Sequence, residues 1–145
     1  MAQLHSRSGS DISAAELYEL LRLRAEIFVV EQTCPYLDLD GLDLLPHTVH
    51  LWLTDENRRI ISCVRVLPEQ NGRRKIGRVV TAADQRGQGH AARLMQAALA
   101  VDPAMTWELH AQCVVQDFYR RFGFRTVGDE FDEDGIPHIA MVRTP

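Results

Sequence analysis

No run of 18 or more apolar residues occurs in the 145-residue chain, so no segment reads as a membrane-spanning helix. The opening MAQLHSRSGSD has no apolar stretch of the kind a secretory signal needs, and the protein is read as soluble and cytoplasmic. Cysteine is scarce: Cys34, Cys63 and Cys113 are odd in number, far apart, and form no C-x-x-C. A disulfide framework or zinc site is therefore not expected, and reduced thiols are the simpler reading. Excess positive charge is also missing, with 16 Lys and Arg against 20 Asp and Glu and a net charge of −4, which argues against general nucleic-acid binding. Internal repeats and low-complexity tracts are absent, as are the glycine spacings of the Walker loop and the dinucleotide fingerprint.

What remains is an ordinary globular composition, 46% hydrophobic and 25% charged. A single domain of residues 1–145 can bury roughly 70% of the surface its unfolded chain exposes. Charge is spread unevenly. Arg73, Arg74, Lys75, Arg78, Arg86 and Arg93 crowd one stretch against the single acid Asp84. Glu31 to Asn57 holds six acids and no Lys or Arg, and Asp129–Asp134 adds five acids. These acids are either solvated loops or an acidic rim that attracts a cationic acceptor such as an amine.

The periodicities order the chain as β-α-β-β-β-α-β-α-β-β, an antiparallel meander that passes into α/β units. A short edge strand over Gln3–Arg7 precedes a helix that starts at a Ser13-Ala-Ala-Glu16 capping box and runs to about Val30. A long loop with Pro35 and Gly41 follows, expected to line an acceptor pocket because loops of that length usually have a task. Thr48–Thr54 and Ile60–Leu67 form a hairpin, and Asn71-Gly72 turns the chain into the strand Lys75–Ala82. A helix from Gly89 stops at Asp102-Pro103, and Thr106–Ala111 is the next strand. Val115, Phe118, Tyr119 and Phe122 then recur with helical spacing before Gly123, and strands Phe124–Val127 and Ile136–Val142 flank an acidic connection, Asp129–Gly135.

The chemistry concentrates in Arg78–Val101. There a β-branched strand (Val79, Val80, Thr81) feeds the turn Asp84-Gln85-Arg86-Gly87-Gln88-Gly89, which opens a helix with Ala91, Leu94, Met95 and Ala98 on one face. Such a turn aims unpaired backbone N–H groups and the positive end of the helix dipole at one point, which is an anion site. The two glycines alone would equally suit a turn that only turns. Arg86-x-x-Gly89-x-Ala91, however, resembles the R/Q-x-x-G-x-G/A signature of the GCN5-related N-acetyltransferases (GNAT), and Phe118-Tyr119-Arg120-Arg121-Phe122-Gly123-Phe124 is similar to the F-Y-x-x-x-G-F of that family's later helix. With VVEQTCPYLDLDG, GRVV, HAQ and DGIPHIAM, the likeness extends from about Leu17 to Val142 and points to the ElaA-like branch.

The resemblance implies a mixed, largely antiparallel central sheet flanked by helices, with a splayed parallel pair of strands that holds acyl-CoA. It implies that the backbones of Val79, Val80 and Thr81 pair with the pantetheine arm, and that Arg86, Gly87, Gln88, Gly89, His90 and Ala91 wrap the pyrophosphate of acetyl-CoA. Gln112 stands where many members have Asn, and Tyr119 would place its hydroxyl near the sulfur as general acid. A backbone N–H around Val79 or Val80 would polarise the thioester carbonyl. The expected reaction is direct attack by an amine of a small molecule or peptide, with no acyl-enzyme and no metal, in a family where dimerisation is common.

Three residues stand as candidate general bases: Glu31, His110 and His138. Arg65 and Arg78 either bind an acidic group of the acceptor or pair with nearby acids. Other readings stay open: a non-catalytic acyl-CoA binder or sensor, a cysteine nucleophile, an incomplete metal set of His47 and His50 with Asp40 or Asp43, and a pure interaction module.

Overall fold

The computed structural model describes all 145 residues and contains one seven-stranded sheet in the order β1-β2-β3-β4-β5-β7-β6. The strands are β1 (Gln3–Ser8), β2 (Val49–Thr54), β3 (Ile60–Val66), β4 (Arg73–Thr81), β5 (Thr106–Gln112), β6 (Arg125–Glu133) and β7 (Ile136–Arg143). All neighbours run antiparallel except β4 and β5. That parallel pair is joined only at Arg73↔Thr106, Arg74↔Trp107 and Lys75↔Glu108, after which the strands part. No helix is long and apolar enough to cross a membrane.

The split sheet is covered on both faces. On one, α2 (His90–Ala100) buries Leu94, Met95 and Ala98 against Leu51, Leu53, Trp107, Leu109 and Met141. On the other, α1 (Ala14–Arg24) contributes Leu20 and Leu23, which pack with Ile27 on Trp52, Cys63, Val80 and Ala82. Alternation along each strand decides which residues reach which face. Trp107, Leu109 and Ala111 of β5 enter the first core, so His110 and Gln112 face the α1 side. The pair Gln112↔His138 puts His138 of β7 on that side too.

Four elements differ from the sequence expectation, and each difference shapes the cleft. The first helix does start at the Ser13 capping box, with the Ser13 hydroxyl accepting from the Glu16 N–H at 3.1 Å and the Glu16 carboxylate accepting from the Ser13 N–H at 2.9 Å. It is α-helical only to Arg24, and Ala25–Glu31 continues as a π-helix, with the Gln32 N–H reaching back to the Ile27 carbonyl. A wider turn keeps Ile27 on the core while it swings Glu31 and Gln32 over the gap between β4 and β5, an adjustment that a 3.6-residue pattern does not reveal.

Strand β4 contains a bulge. Cys63 opposes Val80 and Arg65 opposes Gly77, so Arg78 and Val79 together face Val64, and Arg78 adopts φ +52°. The helix expected over Val115–Phe122 is shorter: Cys113–Val115 is a 3₁₀ turn, α3 is Gln116–Arg120, and Gly123 at φ +87° lets Phe124 N–H donate to the Tyr119 carbonyl. Strand β6 is longer than expected. Its register shifts between Val127 and Phe131, after which it pairs on to Glu133, leaving Asp134-Gly135 as the turn with φ of +53° and +82°. Both residues of a tight primed turn need positive φ, which Asp-Gly supplies.

Candidate active site

Where β4 and β5 part, a cleft of about 1060 Å³ opens through the sheet, lined by both strands, the turn after β4, the π-helix and the β6–β7 turn. Beyond Lys75, the β5-facing edge of β4 has no strand partner, and Gly77 through Thr81 line the cleft. An extended ligand arm laid there would find backbone donors and acceptors along Val79, Val80 and Thr81.

At one end of that edge sits the glycine turn. Gly87 and Gly89 take φ of +77° and +78°, values that an L side chain adopts only under strain, and Gly89 is the N-cap of α2. No side chain caps the helix, no acid lies in its first turn, and a Cβ on either glycine would meet nothing within 4 Å. The first-turn N–H groups of His90 and Ala91 are thus left for an anion that can approach closely. Nε2 of His90 is buried without a partner at the same place. These features fit the pyrophosphate of a coenzyme A ester, and Gln88 is carried on the turn between the glycines.

Arg86 and Glu31 meet across the mouth of the cleft, with Arg86 Nη2 2.7 Å from Glu31 Oε2 and each side chain about half exposed. Next to it, Gln112 Nε2 donates to Gln32 Oε1 at 3.3 Å. The end of the π-helix therefore spans the gap, tied to the turn after β4 by Glu31 and to the end of β5 by Gln32. Glu31, a candidate base, pairs here with a guanidinium, and Gln32 had no sequence signal of its own.

Tyr119 projects from α3 into the cleft and is 8% exposed. It stacks edge-on with Phe118 and Phe124, and burial alone pushes its phenol up to about 12. It is therefore protonated at neutral pH. Burial similarly lifts the Cys63 thiol to about 12, in an apolar environment that leaves it inert as a nucleophile.

His110 and His138 lie on the opposite side of the sheet from Tyr119, and both face Glu133. His110 Nδ1 is 3.4 Å from Glu133 Oε1, and His138 Nε2 is 3.4 Å from Glu133 Oε2. Phe131 stacks on His138 and meets His110 edge-on. Glu133 and Phe131 escaped the sequence reading because Asp129–Gly135, with one apolar residue among five acids, reads as a loop.

The expected acceptor loop does reach the cleft through Cys34 and Tyr36, but its acids are not free. Buried Arg24 donates to Asp38 at 2.9 Å and to Asp43 at 2.7 Å. Arg65 is only 3% exposed and pairs with Asp40 at 2.8 Å and Asp43 at 3.1 Å. Arg78 Nε lies 2.7 Å from Asp38, with its guanidinium over the Tyr36 ring. Of the two roles open to Arg65 and Arg78, the geometry is that of pairing with nearby acids. Burial by itself would raise the Asp40 carboxyl, but hydrogen bonds from Arg65 and the Leu42 N–H hold it at about 2. Asp43 is likewise held low by Arg24 and Arg65 despite burial. Nε2 of His50 is bound to the Asp43 carbonyl at 2.8 Å, and no group of three or more His, Cys, Asp or Glu side chains is placed to hold a metal ion.

Comparison with known proteins agrees with this geometry. A family model described as an acetyltransferase (GNAT) domain matches residues 43–145. A UPF0039 protein of Mycobacterium tuberculosis is 47% identical over 136 residues, covering 92% of this chain and 87% of its own. Protein ElaA of Escherichia coli is 39% identical over 142 residues, covering 92% and 91%. Among solved structures, an acyl-CoA N-acyltransferase from Pseudomonas aeruginosa superposes with a TM-score of 0.92 at 39% identity over 99% of this chain and 100% of its own. The crystal structure of E. coli ElaA does so with 0.90 at 36% identity over 99% of each chain.

Proposed function

The chain belongs to the GNAT acetyltransferase family, and on that premise we propose that it transfers an acetyl group from acetyl-CoA to the amine of a small molecule or peptide. The observation that carries this reading is the coincidence, in one cleft, of an unpaired β4 edge, an uncapped glycine-led helix start beside Arg86, and the protonated Tyr119 phenol. Acetyl-CoA supplies an activated acyl carbon and a thiolate leaving group. Val79, Val80 and Thr81 hold its arm along the strand edge; Arg86, Gly87, Gln88, Gly89, His90 and Ala91 take its diphosphate.

The bulge at Arg78 and Val79 interrupts the regular ladder just before Val80, which supports a Val79 or Val80 amide as donor to the thioester oxygen. As the C–S bond breaks, Tyr119 gives its hydroxyl proton to the departing sulfur. A thiolate born in that dry cleft is itself made more basic by desolvation, so a phenol near 12 is not too weak an acid for it. The amine loses one proton before attack and the second as the amide forms, and that second proton restores the phenol.

The test is thiol release from acetyl-CoA with a panel of primary amines, comparing wild type with Tyr119→Phe. Loss of about 10²- to 10⁴-fold in kcat with unchanged acetyl-CoA affinity is expected for a general acid. Equal turnover in the two proteins would remove Tyr119 from the chemistry, and binding without turnover of any amine would make the protein an acyl-CoA binder.

A further inference from the structure

Between Arg73 and Arg93 the chain carries one acid, Asp84, against six basic residues, and that acid stands two residues before Arg86. It lies in the 3₁₀ turn Ala83–Gln85, which leads from β4 into the glycine cradle. Two extended residues span at most about 7 Å. A free carboxylate at Asp84 would therefore sit within about one Debye length of a diphosphate bound at Arg86 and Gly87, close enough for like charges to repel.

That carboxylate is not free. Arg59 Nη1 donates to Asp84 Oδ2 at 2.8 Å and Nη2 to Oδ1 at 2.9 Å, a parallel fork that occupies both oxygens and turns them toward the β2–β3 hairpin. The hairpin presents the guanidinium in a fixed place: Asp55 Oδ1 accepts from the N–H groups of Asn57 and Arg59, each at 2.9 Å, and Arg58 takes φ +63° at the tip. Hydrogen bonding from Arg59 holds the Asp84 carboxyl below its ordinary value, so the acid is charged and a cation covers it. Both side chains are about half exposed, and neither lines the cleft.

From this, and resting on the reading of the glycine-led turn as an acyl-CoA diphosphate site, we infer that Arg59 is a positioning residue for the donor: it fixes and neutralises Asp84, so that the diphosphate meets Arg86 and the His90 and Ala91 amides with no fixed negative charge beside them. Arg59 touches no part of the ligand and acts through Asp84. Glu31, the other carboxylate at the turn, lies on Arg86 itself and has to leave it for a diphosphate, whereas Asp84 stays on Arg59. The β2–β3 hairpin, remote in sequence from the turn, thereby belongs to the donor site.

Neutralisation and a plain structural tether predict opposite signs for one variant. Acetyl-CoA affinity is measured by calorimetry at low ionic strength for the full-length wild type, Arg59→Gln, Asp84→Asn and the double variant. Arg59→Gln is expected to weaken binding about two- to five-fold, Asp84→Asn to tighten it by a similar factor, and the double variant to return to wild-type affinity. In about 1 M salt, where the screening length is about 3 Å, these differences vanish. Weaker binding by Asp84→Asn, a double variant as weak as Arg59→Gln, differences that persist in high salt, or equal affinity in all four proteins would each overturn the inference. Asp84→Asn alters only an exposed side-chain atom, so its sign is readable even if Arg59→Gln lowers stability. Failure of the folded wild type to bind acetyl-CoA is a separate result, which would remove the diphosphate site and this inference with it.

Discussion

At the scale of single residues, Glu31 offers the sharpest choice. As a base it would be essential to turnover; as the partner of Arg86 it competes with a diphosphate for the same guanidinium. An exposed ion pair of this kind is worth on the order of 0.2–1 kcal/mol. Glu31→Gln should therefore tighten acetyl-CoA about 1.5- to 5-fold at low salt, with kcat kept within a factor of about three. Calorimetry and steady-state kinetics on the same preparation check both, and a large fall in kcat would return Glu31 to the chemistry. Tyr119, Arg86, Gly89 and the two histidines were legible in the sequence because each sits in a short motif or a regular strand. Glu133 and Gln32 were not, since their roles arise from a strand extension and a π-turn, whose extra residue leaves no mark on composition.

At the scale of elements, the loop after the π-helix is ordered by charge instead of by secondary structure. Arg24 is the centre of that arrangement, 1% exposed between Asp38 and Asp43. The leucine spacing of α1 was readable, but an arginine on the same helix reads as solvated until its two partners, 14 and 19 residues on, fold over it. Removing one member of a buried pair leaves the other uncompensated, at a cost of about 3–5 kcal/mol. Arg24→Met is predicted to lower stability by that order in urea unfolding, while an exposed substitution such as Arg22→Met changes it by less than about 0.5 kcal/mol. Similar losses for the two would mean that the network does not hold the loop. The same network grips Arg78, which sits at positive φ in the β4 bulge, so the loop after the π-helix is tied to the unpaired edge of β4.

At the scale of the whole molecule, order of elements and hairpin pairing followed from patterns in the chain and the parallel split from the family resemblance, and what did not follow was depth: which acids are buried and paired. That depth has a pH signature. Asp40 and Asp43 have folded-state values below the ordinary carboxylate range, so they stabilise the fold above about pH 4, and that contribution is lost as pH falls from about 4 toward 2. His50, whose value burial pushes down, disfavours the fold once its unfolded-state counterpart charges, below about pH 6.5. Thermal midpoints measured from pH 8 to 2 should decline gently below about 6.5 and steeply below about 4. A midpoint flat down to pH 3 would contradict the buried carboxylate network.

Everything functional depends on the glycine-led turn being a coenzyme A site. Calorimetric titration with acetyl-CoA, on wild type, Gly89→Ala and Gly89→Glu, tests that most directly. Both variants bear the same strain at φ +78°, and neither Cβ meets a neighbour within 4 Å, so the pair isolates the effect of bulk and negative charge in the cradle. Micromolar binding by wild type, a modest loss in Gly89→Ala and no binding by a folded Gly89→Glu is the predicted result. Absence of binding by folded wild type to acetyl-CoA, or equal affinity in all three, would contradict it.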